Sequence, residues 1–426
     1  MRKYARYKDS GISWIGEVPE HWNCLKIKRL FDEDDEKNEN GEFELLSFSK
    51  NKGLIYYKDN NEKEPSAGDL TKYRVVHKGQ LLENRMQAWH GMFICVDKEG
   101  CVSPDYSVFN ANKRTVGSVK YYEYCFRLPM WVQQFANESR GIGDGFNRLY
   151  TSQFHKIMAI VPPPSEQKAI AEYLDKKTAQ INELVSAKQK QIELLKEYKQ
   201  SVIANAVTGK LDERREKRKW KDSGISWIGK IPENWEIKRV ASFFDENKVL
   251  NKDFVFKKAY QFKFGSLVMK NEVGDEKEYE ETYVKYTVLN KNDIVLNGLN
   301  LNYDFVSQRV AICPAPGIIT SAYIAMTPRK TVEAMYYLWL FKTMDNKKML
   351  HGMGSGIRLT LSFSDMKNQR IPVPPLSEQK EIVAYIEKKV SSIDSQIASI
   401  EKQIANLNEY KQSLISDVVT GKVKVF

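Results

Sequence analysis

A chain of 426 residues with 66 Lys and Arg against 55 Asp and Glu carries a net charge of +11. That length can hold about two to four domains with proper cores. The charge favours a polyanionic partner without by itself deciding for DNA. No apolar run approaches the roughly 20 residues of a membrane span, and the basic, tyrosine-rich N-terminus is not built like a signal peptide. Five cysteines (Cys24, Cys95, Cys101, Cys125, Cys313) form no CxxC pair, and four of them fall in one half. They read as reduced thiols of a cytoplasmic protein.

The chain opens with Lys8-Asp9-Ser10-Gly11-Ile12-Ser13-Trp14-Ile15-Gly16, continued by Pro19 and Trp22. A globular stretch follows in which apolar runs of strand length, 43–48, 80–82 and 92–96, are broken by Gly, Asn and Asp. The acidic run 32–36 within it reads as a solvated loop. A hinge, Pro162-Pro163-Pro164, then introduces a long helix, with Ser165 expected as its N-cap. Apolar residues at Leu174, Ile181, Val185, Ile192, Leu195 and Val202 follow a heptad seam, interrupted by Thr178 and Lys188. Thr208-Gly209-Lys210 closes the helix as a glycine cap. The charged stretch 211–219 is read as a solvated linker.

The same order then returns. Lys221-Asp222-Ser223-Gly224-Ile225-Ser226-Trp227-Ile228-Gly229 precedes Pro232 and Trp235, and strand-length runs lie at Ile294–Leu296 and Val310–Ile312. The acidic run 275–281 is again read as a solvated loop. The hinge returns as Pro372-Val373-Pro374-Pro375, with Ser377 expected as the cap of a second helix. Its seam is Ile386, Val390, Ile393, Ile397, Ile400, Ile404 and Leu407, then Leu414, and Thr420-Gly421-Lys422 closes it. Lys199 and Lys411 fall on the strict seam, so the packing is expected to shift there. The helical segments match at a displacement of 212 residues without a gap. A repeat this long is a domain with a helix attached, not the unit of a solenoid.

The expected fold is α+β. Two strand-rich domains, 1–161 and 220–371, are separated by helices within 162–210 and 372–426 that pair as an antiparallel coiled coil with internal pseudo-two-fold symmetry. The globular regions keep only landmarks: Asn84 answers Asn297, Tyr106 answers Tyr323, and Arg148 answers Arg358 behind the glycine-rich stretches 141–145 and 352–356. One fold with two different surfaces should bind two different things, or two halves of one thing.

Catalytic chemistry is not found. No Asn/Asp-Pro-Pro-aromatic turn exists for amino methylation, and the Thr-Gly-Lys tripeptides lack the remainder of a P-loop. The histidines His21, His77, His90, His155 and His351 are scattered without metal spacing. The stretch 141–145 could present amides to a phosphate or be a plain connection.

The duplicated Trp-Ile-Gly-x-x-Pro-x-x-Trp opening and the Ser-Glu-Gln-Lys entry to each heptad helix resemble the DNA specificity subunit of type I restriction-modification systems, across essentially the whole chain. The resemblance implies two target recognition domains reading a bipartite, asymmetric site in double-stranded DNA, and helices that form the spacer. It also implies a non-catalytic role for this chain. The implied partners are two modification subunits that bind S-adenosylmethionine and methylate adenine N6, and two ATP- and Mg-dependent restriction subunits. No cofactor is expected on this chain.

Base readout favours Arg on guanine and Asn or Gln on adenine, while Lys more often meets phosphate. The candidate DNA-binding residues are Lys50, Asn51, Lys52, Arg85, Gln87, Trp89, Asn147 and Arg148 in the first domain. Those in the second are Lys263, Lys270, Asn297, Asn300, Asn302 and Arg358. The rival reading is a coiled-coil scaffold or an orphan DNA-binding protein acting outside a restriction system.

Overall fold

A computed structural model describes residues 2–49, 52–59, 69–141, 147–211, 218–263, 265–271, 276–354 and 359–426. It divides into two compact units, 1–188 with 402–426, and 189–401. Each unit therefore contains one strand-rich domain and a segment of each long helix.

The two domains share one topology. In the first, an antiparallel four-stranded sheet runs Phe31–Asp34, Tyr106–Ala111, Leu81–Asn84, Phe93–Cys95. In the second the order is Phe244–Glu246, Ile324–Pro328, Ile294–Leu296, Val310–Ile312. The strand runs around 80–82 and 92–96 are thus found within a residue or two, and the run at 43–48 becomes the strand Leu46–Ser49, hydrogen-bonded to Gly53–Tyr56. One sheet face is apolar and lies under helices. Phe31, Phe93 and Phe109 pack on Tyr122, Phe126 and Phe135 in the first domain, and Phe244 packs on Tyr337 and Phe341 in the second. Each such side chain contributes roughly 1.5–3 kcal/mol by leaving water.

The acidic runs lie in part in regular elements. Residues 32–34 lie in an edge strand, where Glu33 meets the guanidinium of Arg74 at 2.8 Å, because sheet pairing places that side chain beside a buried arginine. Much of the second run forms the helix Glu276–Tyr283, whose Tyr279 and Tyr283 give it an apolar side.

The long helices, Pro164–Val207 and Leu376–Val419, have 44 residues each. They begin before the expected caps, so Ser165 and Ser377 lie inside the first turn. The amides of Gln167 and Gln379 bond to the carbonyls of Pro163 and Pro375. A residue at the first helical position has no bond to donate, so Pro164 fits there. Within the first unit the segments run antiparallel, with Lys411 Nζ 2.9 Å from Asn182 Oδ1 and Lys188 Nζ 2.5 Å from Gln403 Oε1. Within the second, Lys199 Nζ lies 2.8 Å from Asp394. Leu174, Ile181, Ile192, Ile386, Ile393 and Ile400 are buried, and Val185, Leu195, Val390, Ile397, Ile404 and Leu407 are half-buried. Both seam lysines reach the facing helix with their ammonium groups, Lys199 to Asp394 and Lys411 to Asn182.

The repeated motifs explain one another. Trp22 Nε1 donates to Glu166 at 2.8 Å, and Trp235 Nε1 donates to Glu378 at 3.0 Å. The next residue, Gln167 or Gln379, is buried and ties the helix entry to the domain. Gln167 accepts from the amides of Gly117 and Ser118 and donates to the carbonyls of Thr115 and Pro162. Gln379 accepts from the amide of Glu333 and donates to the carbonyl of Pro374. At the other helix end, Tyr121 Oη donates to the carbonyl of Val419, and Tyr336 Oη to that of Val207, both at 2.8 Å. Gly421 and Gly209 follow at φ +76° and +78°, where a Cβ would stand 2.5 Å from Pro19 and Pro232 respectively. The Thr-Gly-Lys tripeptides are caps, and the opening segment is the surface against which they close.

Candidate nucleic-acid interface

In each domain the second strand of the central sheet in chain order, Leu81–Asn84 or Ile294–Leu296, leads into an asparagine, Asn84 or Asn297, and the chain then leaves the sheet as a loop. Asn84 Oδ1 accepts the amide of Met86, and the amide of Gln87 returns to the Asn84 carbonyl. A short 3-10 helix, Ala88–His90, follows and is ended by Gly91 in the left-handed region. Trp89 Nε1 donates to the Met86 carbonyl, and its ring lies 3.7 Å from that of His90.

The segment behind the glycine-rich stretch packs onto this loop, since the amide of Leu149 bonds to the Arg85 carbonyl. Arg85 donates to the carbonyls of Pro104 and Asp105, and Arg148 pairs with the Asp105 carboxylate at 2.9 Å. Arg85, Gln87, Trp89, Asn147 and Arg148 are thereby brought together. Gln87 and Asn147 are exposed; the two arginines and Trp89 are half-buried and spend donors on the loop itself. Lys52 is exposed at the turn before Gly53. Lys50 and Asn51 lie outside the described residues, as does 142–145 of the glycine-rich stretch.

The second domain builds its loop, 297–307, around a residue that the sequence did not single out. Arg309 is buried, and its guanidinium donates to the carbonyls of Asn297, Leu299, Asn300 and Asp304. Asp345 fixes its backbone, accepting the Arg309 amide at 2.7 Å. Gly298 lies where a Cβ would meet the Leu361 carbonyl at 2.5 Å, so only glycine lets the loop lie against 359–361. Asn297 is half-buried and accepts the amide of Leu299, Asn300 is exposed at φ +53°, and Asn302 is half-buried. Tyr303, Phe305 and Val306 stand exposed beside them. Amides of Val306 and Ser307 hold the Asp304 carboxyl down to about 2.

Lys263 is exposed at the tip of the hairpin Tyr260–Lys263 with Ser266–Met269, well removed in sequence from this loop. Lys270 lies over the rings of Tyr283 and Tyr286, at 5.9 and 5.6 Å, and so props the domain as a cation on aromatic faces. Arg358 lies outside the described residues. Arg309 gave no signal in the sequence because it reads as the edge of a strand. Tyr303 and Phe305 could have been found from an aromatic pair in an asparagine-rich stretch.

Such loops suit base edges: Gln and Asn can bond adenine, and exposed aromatics offer apolar contact. Their exposed residues are unlike: Gln87 and His90 in the first loop, and Asn300, Tyr303, Phe305 and Val306 in the second. Among the described residues no cluster of His, Cys, Asp and Glu could hold a metal ion, and no helix is long and apolar enough to cross a membrane.

The type I restriction modification DNA specificity domain matches residues 232–409. The chain is 25% identical to the EcoBI specificity subunit of Escherichia coli over 62% of its own length and 58% of that protein's, so the match spans less than two thirds of that relative. It is 22% identical, over 96% of both chains, to a Methanocaldococcus jannaschii protein provisionally named the type I restriction enzyme MjaX specificity subunit. A chain solved in work on assembly of a type I R-M system is 13% identical and superposes with a TM-score of 0.70 over 95% of this chain and 99% of its own, a likeness of fold. The first half, beyond the domain match, repeats the topology and the clamps of the second. The chain is thus similar to type I restriction-modification DNA specificity subunits, in its second half by the domain match and over most of its length by these relatives.

Proposed function

We propose that this chain is the non-catalytic DNA-recognition subunit of a type I restriction-modification complex, in which each domain reads one half of a bipartite, asymmetric target. The helices set the unread spacer and dock two modification subunits, which carry S-adenosylmethionine and methylate adenine N6. Two restriction subunits supply the ATP- and Mg-dependent steps. The observation that carries this reading is one scaffold built twice, with the same clamps and unlike loops. Reading two different half-sites asks for that division: shared parts meet identical partners, and divergent parts meet divergent sequence.

Mapping methylated adenines in a host with and without the chain tests the reading. A single bipartite motif should vanish with the gene, and an unchanged methylation map would reject it. Inserting four residues near Gln191 should lengthen the spacer and leave both half-sites intact; methylation of an unaltered site would remove the spacer role. Methyl transfer by the purified chain alone would overturn the non-catalytic assignment.

A further inference from the structure

We infer that each unit holds a DNA backbone phosphate in a cationic cleft between its domain helix and its long-helix segments. The inference rests on the recognition reading above and adds residues to it. In the first unit a cleft of about 530 Å³ is walled by Tyr124 and Arg127 from the domain and by Lys411, Gln412 and Ile415 from the second long helix. In the second, a cleft of about 400 Å³ is walled by Trp339 and Lys342 and by Lys199, Gln200 and Ile203 from the first long helix.

These are the same place twice. Lys199, Gln200 and Ile203 recur as Lys411, Gln412 and Ile415 at the displacement of 212. Tyr121 and Tyr336 cap equivalent helix ends, and the aromatic residue three positions on (Tyr124, Trp339) and the cation six positions on (Arg127, Lys342) both face the cleft.

Each cleft collects three cationic side chains against one carboxylate. Lys120, Arg127 and Lys411 line the first cleft with Glu123, and Lys196, Lys199 and Lys342 line the second with Asp394. The partial pairing, Glu123 with Lys120 and Arg127 and Asp394 with Lys199, leaves positive charge over. Burial, and then the neighbouring Lys199, push the Lys342 ammonium down to about 8 against the opposing pull of Asp345, and its Nζ donates to the Gly265 carbonyl at 3.0 Å. His90 of one loop and Gln308, beside the Arg309 that organises the other, lie on the rims. The clefts thus adjoin loops that differ, while their own chemistry is kept. A phosphate is the DNA group present in both half-sites whatever their sequence, and contacts to it position without specifying.

The test uses the full chain carrying Lys199→Gln with Lys411→Gln, and separately Lys120→Gln with Lys342→Gln, on duplexes bearing its mapped target. Each pair should lower the slope of log affinity against log salt by about 2, near one per cleft, and leave the preferred bases unchanged. Thermal melting of each variant reports whether the fold is kept, and two pairs guard against one failing to fold. An unchanged salt slope in folded variants overturns the inference. Loss of a co-purifying protein subunit with the slope intact also overturns it and makes the cleft a protein contact. A wild-type chain with no target affinity instead fails the recognition reading itself.

Discussion

At the scale of single residues, the central sheet of the first domain contains an oddity. Glu83 is fully buried, and neither carboxyl oxygen has a hydrogen-bond partner; its register partner Ser107 also keeps an unbonded buried hydroxyl. Burial raises the Glu83 carboxyl well above its ordinary range. The corresponding residue in the second domain, one before Asn297, is Leu296. An unbonded buried polar group costs about 1–3 kcal/mol, so Glu83→Leu should stabilise the domain by an amount of that order. The sign of the pH effect follows from the raised pKa. The folded wild type holds the proton more tightly, so its stability is greatest below the unfolded pKa of about 4.3 and declines as pH rises toward the folded value. The advantage of the leucine variant should therefore grow with pH above about 4; denaturant titrations at several pH values that find a constant difference would refute this. Nothing in the sequence flagged Glu83, because a single acid in a strand pattern reads as its solvent-facing side.

Among the elements, the helix ends were the most legible part, and their error is instructive. Prolines and a following serine marked the entry, but each helix begins one residue before that serine, the first of them at Pro164, where an unbonded first amide costs nothing. The glycine caps were read from Thr-Gly-Lys alone, yet why glycine is required needs the structure. Gly421 has both a left-handed backbone and Pro19 against it, whereas Gly11, at φ +71°, has nothing within 4 Å. Gly421→Ala should accordingly lower stability by clearly more than the roughly 1–2 kcal/mol of backbone strain expected for Gly11→Ala, as paired thermal melts would show. Gln167 and Gln379 looked like family signatures without a job. With four hydrogen bonds against two, Gln167→Ala should destabilise more than Gln379→Ala, at about 0.5–1.5 kcal/mol per bond. Equal losses would mean that these bonds do not set the clamp's strength. The loop built by Arg309 was illegible because four carbonyls distant in pattern converge on one buried side chain.

For the molecule as a whole, duplication at 212–213 residues was plain in the sequence, while the exchange of parts within it was not. The first domain is capped by Gly421, from the far end of the chain, and the second by Gly209, from the first repeat's helix. In the first unit, Arg2 and Lys424 pair across a β-bridge, and Tyr7 Oη donates to the Gly421 carbonyl. In the second unit the corresponding contacts are made by Gly209, against Pro232, and by Lys210, whose Nζ donates to the Ile228 carbonyl. The first and last segments of the chain thus meet within one unit. A permuted chain that opens within 212–217, with a short Gly-Ser tether joining residue 426 to residue 1, should melt as the parent does and direct methylation to the same target. A permutant that folds but directs methylation elsewhere would show that the present order of the two readers carries information beyond their identity. If the order is indeed free, a single cut-and-join exchange could replace either reader without disturbing the junctions that seat it, and new target sequences would arise by recombination at the level of whole domains.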